Sequence, residues 1–330
     1  MQAMVPLYGF GGGSGGAGAT LTVTAPAGAP VTVSKDGKTK TTVADSFGVA
    51  VFNGLDGGEW TVTITNGEQT AQKTVTITTD YAALISFNTI PDFTFTGDFE
   101  IVNDADEPIT ASQDNWKIRF LTSGTLTFTA LNGAENGIDV FCVGGGGGGS
   151  SIRGGGGGGY TDTRLGVPVS AASYEIQIGA GGGSNANGGA TTAFGVSADG
   201  GKSENTVGVA AGGSGGSGGG GGYPTKGGCG GSDGADGEST NYAGGAGQGT
   251  TTREFGESGG TLYAGGGGGG NAIGDGGTGG AGGGGDGGGN NNVAAKSGAA
   301  NTGGGGGGDL NAPGSGGSGI VIIRNAREVA

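Results

Sequence analysis

Residues 138–163 read IDVFCVGGGGGGSSIRGGGGGGYTDT: an apolar stretch, six glycines, four residues with side chains, six more glycines and a tyrosine. Glycine loses more conformational freedom on folding than any other residue, and fixing any backbone costs roughly 1–2 kcal/mol per residue. Such a segment is either unstructured or packed where no side chain fits. The same succession recurs. YEIQI (174–178) leads into GAGGG, SNAN and GGATTAF, and TLYA (261–264) into GGGGGG, NAIGD and GGTGGAGGGG. GGGGGG (303–308) then leads into DLNAPG, SGGSG and the apolar IVIIR (320–324). A random linker has no cause to repeat the order strand, glycine run, polar tip, glycine-rich return.

A polyproline-II-type helix accommodates these runs. It has three residues per turn, rises about 3.1 Å per residue and makes no internal hydrogen bonds. Each N–H and C=O must then find another chain segment or water. Only glycine lets neighbouring axes approach closely enough to bond laterally, the reason collagen carries glycine at its crowded axis. A six-glycine run spans about 19 Å at that rise. The expectation is an all-β chain with little or no α-helix: a small β-sandwich, then a β-strand platform bearing a packed polyglycine-II bundle.

Glycine supplies 92 of the 330 residues, and 74 of these lie in residues 144–330. That abundance is also the signature of low complexity, but the apolar β-type segments between the runs argue for order. The net charge is −14 and the estimated pI 4.2. No basic face is expected for nucleic acid, and no attraction to an anionic membrane. No apolar run approaches the roughly 20 residues of a membrane-spanning helix. With no histidine and two cysteines, zinc binding and histidine-assisted nucleophilic catalysis are not expected. G-x-G-x-x-G matches abound, but none lies in a βαβ context and no P-loop occurs. SDGADGE (232–238) reads as a solvated acidic loop. NDADE (103–107) offers oxygens to calcium without the spacing of a calcium loop, so it too reads as a solvated turn. No enzyme activity, cofactor or metal is expected. Cys142 reads as a buried thiol and Cys229 as free, a disulfide between them staying open.

Outward from the glycine region, residues 1–18 form a glycine-rich lead and residues 89–115 a linker with a strand or two. The glycine-rich domain spans 116–330. In 19–88, Thr20–Thr24, Val31–Ser34, Ala50–Phe52, Trp60–Thr65 and Thr74–Thr78 alternate with period two. Asp36-Gly37, Asp56-Gly57 and Asn66-Gly67 punctuate them as turn signals, which suggests a sandwich. GVAVFNGLDGGEWTVTIT (48–65) resembles carboxypeptidase-regulatory-like and immunoglobulin-like modules through Gly48, Phe52, Gly54, Leu55, Gly58, Trp60 and Val62. That resemblance implies a spacer.

Recognition concentrates on loops held by a rigid scaffold. The candidate tip residues are Ser150, Ser151, Ile152 and Arg153; Ser184, Asn185 and Asn187; Tyr223 and Lys226; Asn271, Ile273 and Asp275; and Asp309, Leu310, Asn311 and Pro313. Each tip alone reads equally as a turn former; the set is read as receptor-binding.

WKIRFLTSGTLTFT (116–129), IDVFCVGGGGGG (138–149), GGTLYAGGGGGG (259–270) and GGSGIVIIR (316–324) resemble the glycine-rich domain of bacteriophage tail-fibre and tail-tip proteins. The likeness covers roughly 93–330. It is similar in principle to the receptor-binding adhesins of T-even-type phages. The resemblance implies a virion location and host-receptor binding, with a surface protein or glycan and other tail proteins as partners and a homotrimer as one assembly. The first residues lack a signal peptide's basic and apolar regions, which fits assembly in the host cytoplasm. A structural filament or decoration protein without a receptor is the alternative, and an ice-binding protein the third.

Overall fold

The structure, a computed structural model, describes residues 18–25, 28–66, 69–78, 81–84, 90–109, 116–131, 134, 137–204, 210–222, 227–239, 243–290 and 293–327. These form mostly antiparallel β-sheet, with one short 3-10 turn at Glu254–Gly256 and no α-helix among the described residues. The expected all-β class is what is found. The lead through residue 17 lies outside the described residues, as does Gly67 of the Asn66-Gly67 turn. The chain divides into two compact units between residues 88 and 89.

The first unit holds β1 (Ala19–Thr24), β2 (Pro30–Lys35), β3 (Lys38–Val43), β4 (Val49–Leu55), β5 (Gly58–Asn66), β6 (Gln69–Ile77) and β7 (Tyr81–Leu84). They make two sheets, β4-β1-β7 and β3-β2-β5-β6. Alternate residues Leu21, Val23, Val31, Val33, Trp60, Val62 and Ile64 point inward to one core, as period two requires. Trp60 donates its indole N–H to Asp56 O at 2.9 Å. β3, KTKTTV, escapes apolar alternation because it is an exposed edge strand. It is reached through Asp36 and Gly37, both at positive φ (49° and 76°), the geometry that a two-residue hairpin demands.

The second unit is built on β8 (Asp92–Phe95), β9 (Phe99–Val102), β10 (Lys117–Phe120), β11 (Gly124–Ala130), β12 (Ile138–Val143), β13 (Thr161–Val167), β14 (Ser173–Ile176), β15 (Thr191–Ala193), β16 (Val196–Ala198) and β17 (Ile320–Asn325). A five-stranded sheet runs β13-β12-β17-β10-β9, and a three-stranded sheet β14-β11-β8. Residues 89–115, expected to hold a strand or two and then a linker, supply a strand to each sheet, β8 and β9. One face of the larger sheet (Ile118, Phe120, Val140, Cys142, Val321, Ile323) packs with Leu126, Phe128 and Ile176 of the smaller. The other (Phe141, Val143, Ile320, Ile322) packs on Phe255, Tyr263 and Ala264. β12 is buried at every position because both faces are covered. Cys142 and Cys229 are free thiols. Burial, aided by Asp162, pushes the Cys142 thiol up to about 12.

Glycine runs leave this platform directly from β12, and their hydrogen bonds have period three. Gly144 and Gly147 donate to Tyr160 and Gly157, at 2.9 and 2.8 Å; Gly145 and Gly148 donate to Gly189 and Ala186, both at 2.9 Å; Gly146 and Gly149 donate to Gly317 and Gly314, at 2.9 and 2.8 Å. Every third residue therefore faces the same antiparallel neighbour. On the acceptor side, the N–H groups of Gly201, Gly182 and Gly306 meet the carbonyls of Gly145, Gly146 and Gly147. One run thus touches six others, the arrangement expected of laterally bonded threefold helices. The return run behaves alike: Gly155 and Gly158 donate to Gly220 and Ser217, Gly156 and Gly159 to Gly306 and Gly303. No side chain fits between them. A Cβ on Gly145, Gly148 or Gly158 would overlap the carbonyl oxygen of Ala180, Gly183 or Ala264.

A buried charge cluster ties the platform to the 3-10 turn. Lys117 Nζ donates to Asp106 Oδ1 at 2.6 Å and to Glu254 Oε1 at 2.7 Å, while Arg119 binds Asp106 and lies 3.4 Å from Glu254 Oε2. The acidic turn at 103–107 is therefore not simply solvated: Asp106 faces two cations. Burial acts to raise the Asp106 carboxyl, but hydrogen bonds and charge from Lys117 and Arg119 outweigh it and hold the group below its ordinary value. Asp233 of the 232–238 loop is likewise paired, with Arg253 at 3.0 Å.

Candidate functional site at the bundle tips

The turns opposite the platform lie together. The first tip closes through Ser150 N to Gly154 O (2.8 Å) and Arg153 N to Ser150 O (3.0 Å). Asn185 of the second tip, at φ 60°, accepts from Ser151 N at 2.8 Å and from Ser151 Oγ at 3.1 Å. The third joins through Gly270 N to Arg153 O (2.7 Å), the fourth through Asp309 N to Ser150 O (3.2 Å). Antiparallel packing of runs of five or six residues brings these sequence-distant turns together.

Polar side chains at the tips are used largely to fix the loops. Ser150 Oγ accepts from Ile152 N, and Asn271 accepts from Ile273 N and donates to Asp275 O. Both Ser150 and Asn271 are buried. Asp309 Oδ1 accepts from the N–H groups of Asn311 and Ala312, at 2.7 and 2.9 Å. Asn187 accepts from Ser203 N, and Asn185 Nδ2 donates to Ser184 Oγ. The turn-forming role of these residues is thus real. Ile273, Asp275, Ser184, Asn187, Leu310 and Asn311 remain exposed, and Ser151, Ile152, Arg153 and Pro313 half-buried. Tyr223 and Lys226 lie outside the described residues.

A cleft of about 280 Å³ opens among the tips, lined by Arg153, Asn271, Asp309, Leu310 and Asn311 and by a further turn at Asn290, Val293 and Ala294. Sequence reasoning missed that turn. The chain reverses at the platform near Gly282 and Gly283, both at positive φ (94° and 96°), and runs outward again, so the region makes more passes than the four repeats suggest. The signal was available: NNNVAAKS (290–297) interrupts glycine as the other tips do.

An all-β protein whose larger unit is a laterally bonded polyglycine-II bundle on a β-platform, with its turns gathered at the far end, is the class defined here. Residues 121–326 match the family described as a glycine-rich domain, and the chain belongs to that family. No curated protein and no solved structure matches it.

Proposed function

We propose that this chain is a bacteriophage tail-fibre or tail-tip protein whose distal loops bind a host receptor. The observation that supports the reading is the convergence of sequence-distant tips around one cleft, on a scaffold whose backbone bonding leaves little freedom. Loops fixed by their own side chains lose little entropy on binding. Under this reading the first unit serves as spacer or anchor, other tail proteins hold the chain, and a homotrimer is one possible assembly. The irregular tips lack the flat repeating face of an ice-binder.

Exchanging residues 151–153 and 310–313 for serine-glycine turns of equal length, with the turn-holding Ser150 and Asp309 kept, tests the proposal by adsorption to host cells. A loss of tenfold or more is expected, with circular dichroism and melting unchanged. Undiminished adsorption would discard the receptor role and leave the filament or decoration reading.

A further inference from the structure

One continuous stretch, residues 314–325, belongs to both layers of the second unit. Its first half is a bundle helix. Gly314, Gly316 and Gly317 donate to Gly307, Gly182 and Gly304, each at 2.8 Å, and the carbonyls of Gly314, Gly317 and Ser318 accept from Gly149, Gly146 and Gly303. Side chains are excluded here too, since a Cβ on Gly316 or Gly317 would overlap the carbonyl oxygen of Gly146 or Ala299. Its second half is β17, which pairs with β12 along its whole length and with β10 from Val321 to Arg324. β17 lies between those two strands and joins β9-β10 to β12-β13. Its side chains enter both cores, Val321 and Ile323 one, Ile320 and Ile322 the other. Arg324, also buried, fastens the strand through ion pairs with Asp139 at 3.0 Å and Glu257 at 2.7 Å.

Withdrawing this stretch would leave a slot. β10 and β12 would stand two strand spacings apart, roughly 9–10 Å, with unpaired edges. They cannot simply close on each other. Both are antiparallel to β17, so they are parallel to one another, and the groups lining the slot are spaced for an antiparallel partner. In the bundle, the same withdrawal strips the acceptors from the buried Gly146, Gly149 and Gly303, and a buried donor without a partner is costly.

We propose that residues 314–325 are the closing element of the second unit. The slot they fill is a binding site for one glycine-helix-then-strand segment, attached or separate, and without an occupant neither layer holds. The test replaces residues 310–313 in the full chain with the recognition sequence of a site-specific protease and cuts the folded protein there. Residues 310–312 are exposed, and exposed turns are where nicks are tolerated. Gel filtration with mass spectrometry should find the C-terminal fragment still bound. In urea, release of the fragment, exposure of Trp116 and exchange of the glycine amides at 144–159 should share one midpoint. After the fragment is removed in urea, dilution with a synthetic peptide of residues 314–327 should restore both signals, and dilution without it should restore neither. A peptide with alanine at positions 316 and 317 keeps the strand but cannot enter the bundle, and it should fail. Protected glycine amides or a buried Trp116 in the chain freed of its fragment would overturn the proposal. So would full restoration by the alanine peptide, which would show that the strand alone closes the unit.

Discussion

Alanine at Gly148 should destabilise the second unit by about 3 kcal/mol or more, the upper range of overpacking, while alanine at Gly183 should be neutral or stabilising. The two positions face each other. A Cβ on Gly148 would overlap the Gly183 carbonyl, which is main chain and cannot swing aside; a Cβ on Gly183 itself meets nothing within 4 Å. Relief of the Gly148 clash would require the two helices to separate, and bonds along both would lengthen together. Gly183→Ala removes freedom only from the unfolded chain, worth about 0.4–1 kcal/mol. Urea titration followed through Trp116, buried in the second unit, distinguishes the pair in a Trp60→Phe background. Equal tolerance at both sites would contradict the packing described here.

The second large effect is expected at Glu254. This residue is 3% exposed and reaches Lys117, Arg119 and the Tyr263 hydroxyl. Glu254→Ala leaves the 5%-exposed Lys117 and its neighbour Arg119 with Asp106 as their remaining partner in this cluster. Removing one member of a buried ion pair costs about 3–5 kcal/mol, and denaturant unfolding of the variant should show a loss at the lower end of that range. Asp106 adds a pH dependence whose sign is fixed. Its folded-state pKa lies below the ordinary 3.8, so its contribution is full above that value and is lost as pH falls through the folded pKa. Stability of the second unit should therefore drop below about pH 4, and Asp106→Asn should flatten that drop. An unchanged acid limb in the variant would remove Asp106 from the account.

Much of this was legible before any coordinates. The runs at 144–149 and 154–159 (GGGGGG each) state their packing demand directly, because a stretch without side chains can satisfy its amides only through close neighbours. β12 and β17 were legible as continuous apolar runs. Other features were not, each for a physical reason. β3 is polar because it is an exposed edge. The segment of β8 and β9 read as holding a strand or two, but its acidic end looks solvated until Lys117 and Arg119 are placed beside it. The Lys117–Glu254 pair joins residues 137 apart, and no local pattern encodes such a contact. The pass that carries Asn290 and Val293 was missed because the reversal at Gly282 and Gly283 has no sequence signal of its own, although NNNVAAKS (290–297) marked its far end. At the tips, residue identity located the loops but did not separate Ser150 and Asn271, which hold the turns, from Arg153 and Leu310, which line the cleft.

Hydrogen–deuterium exchange across residues 144–159 of the intact protein tests the central claim most directly. The account predicts amides of the two glycine runs protected as well as those of β12, since the N–H groups of Gly144 to Gly149 and of Gly155 to Gly159 are held by carbonyls of neighbouring segments. Exchange at the rate of free peptide throughout those runs would contradict it.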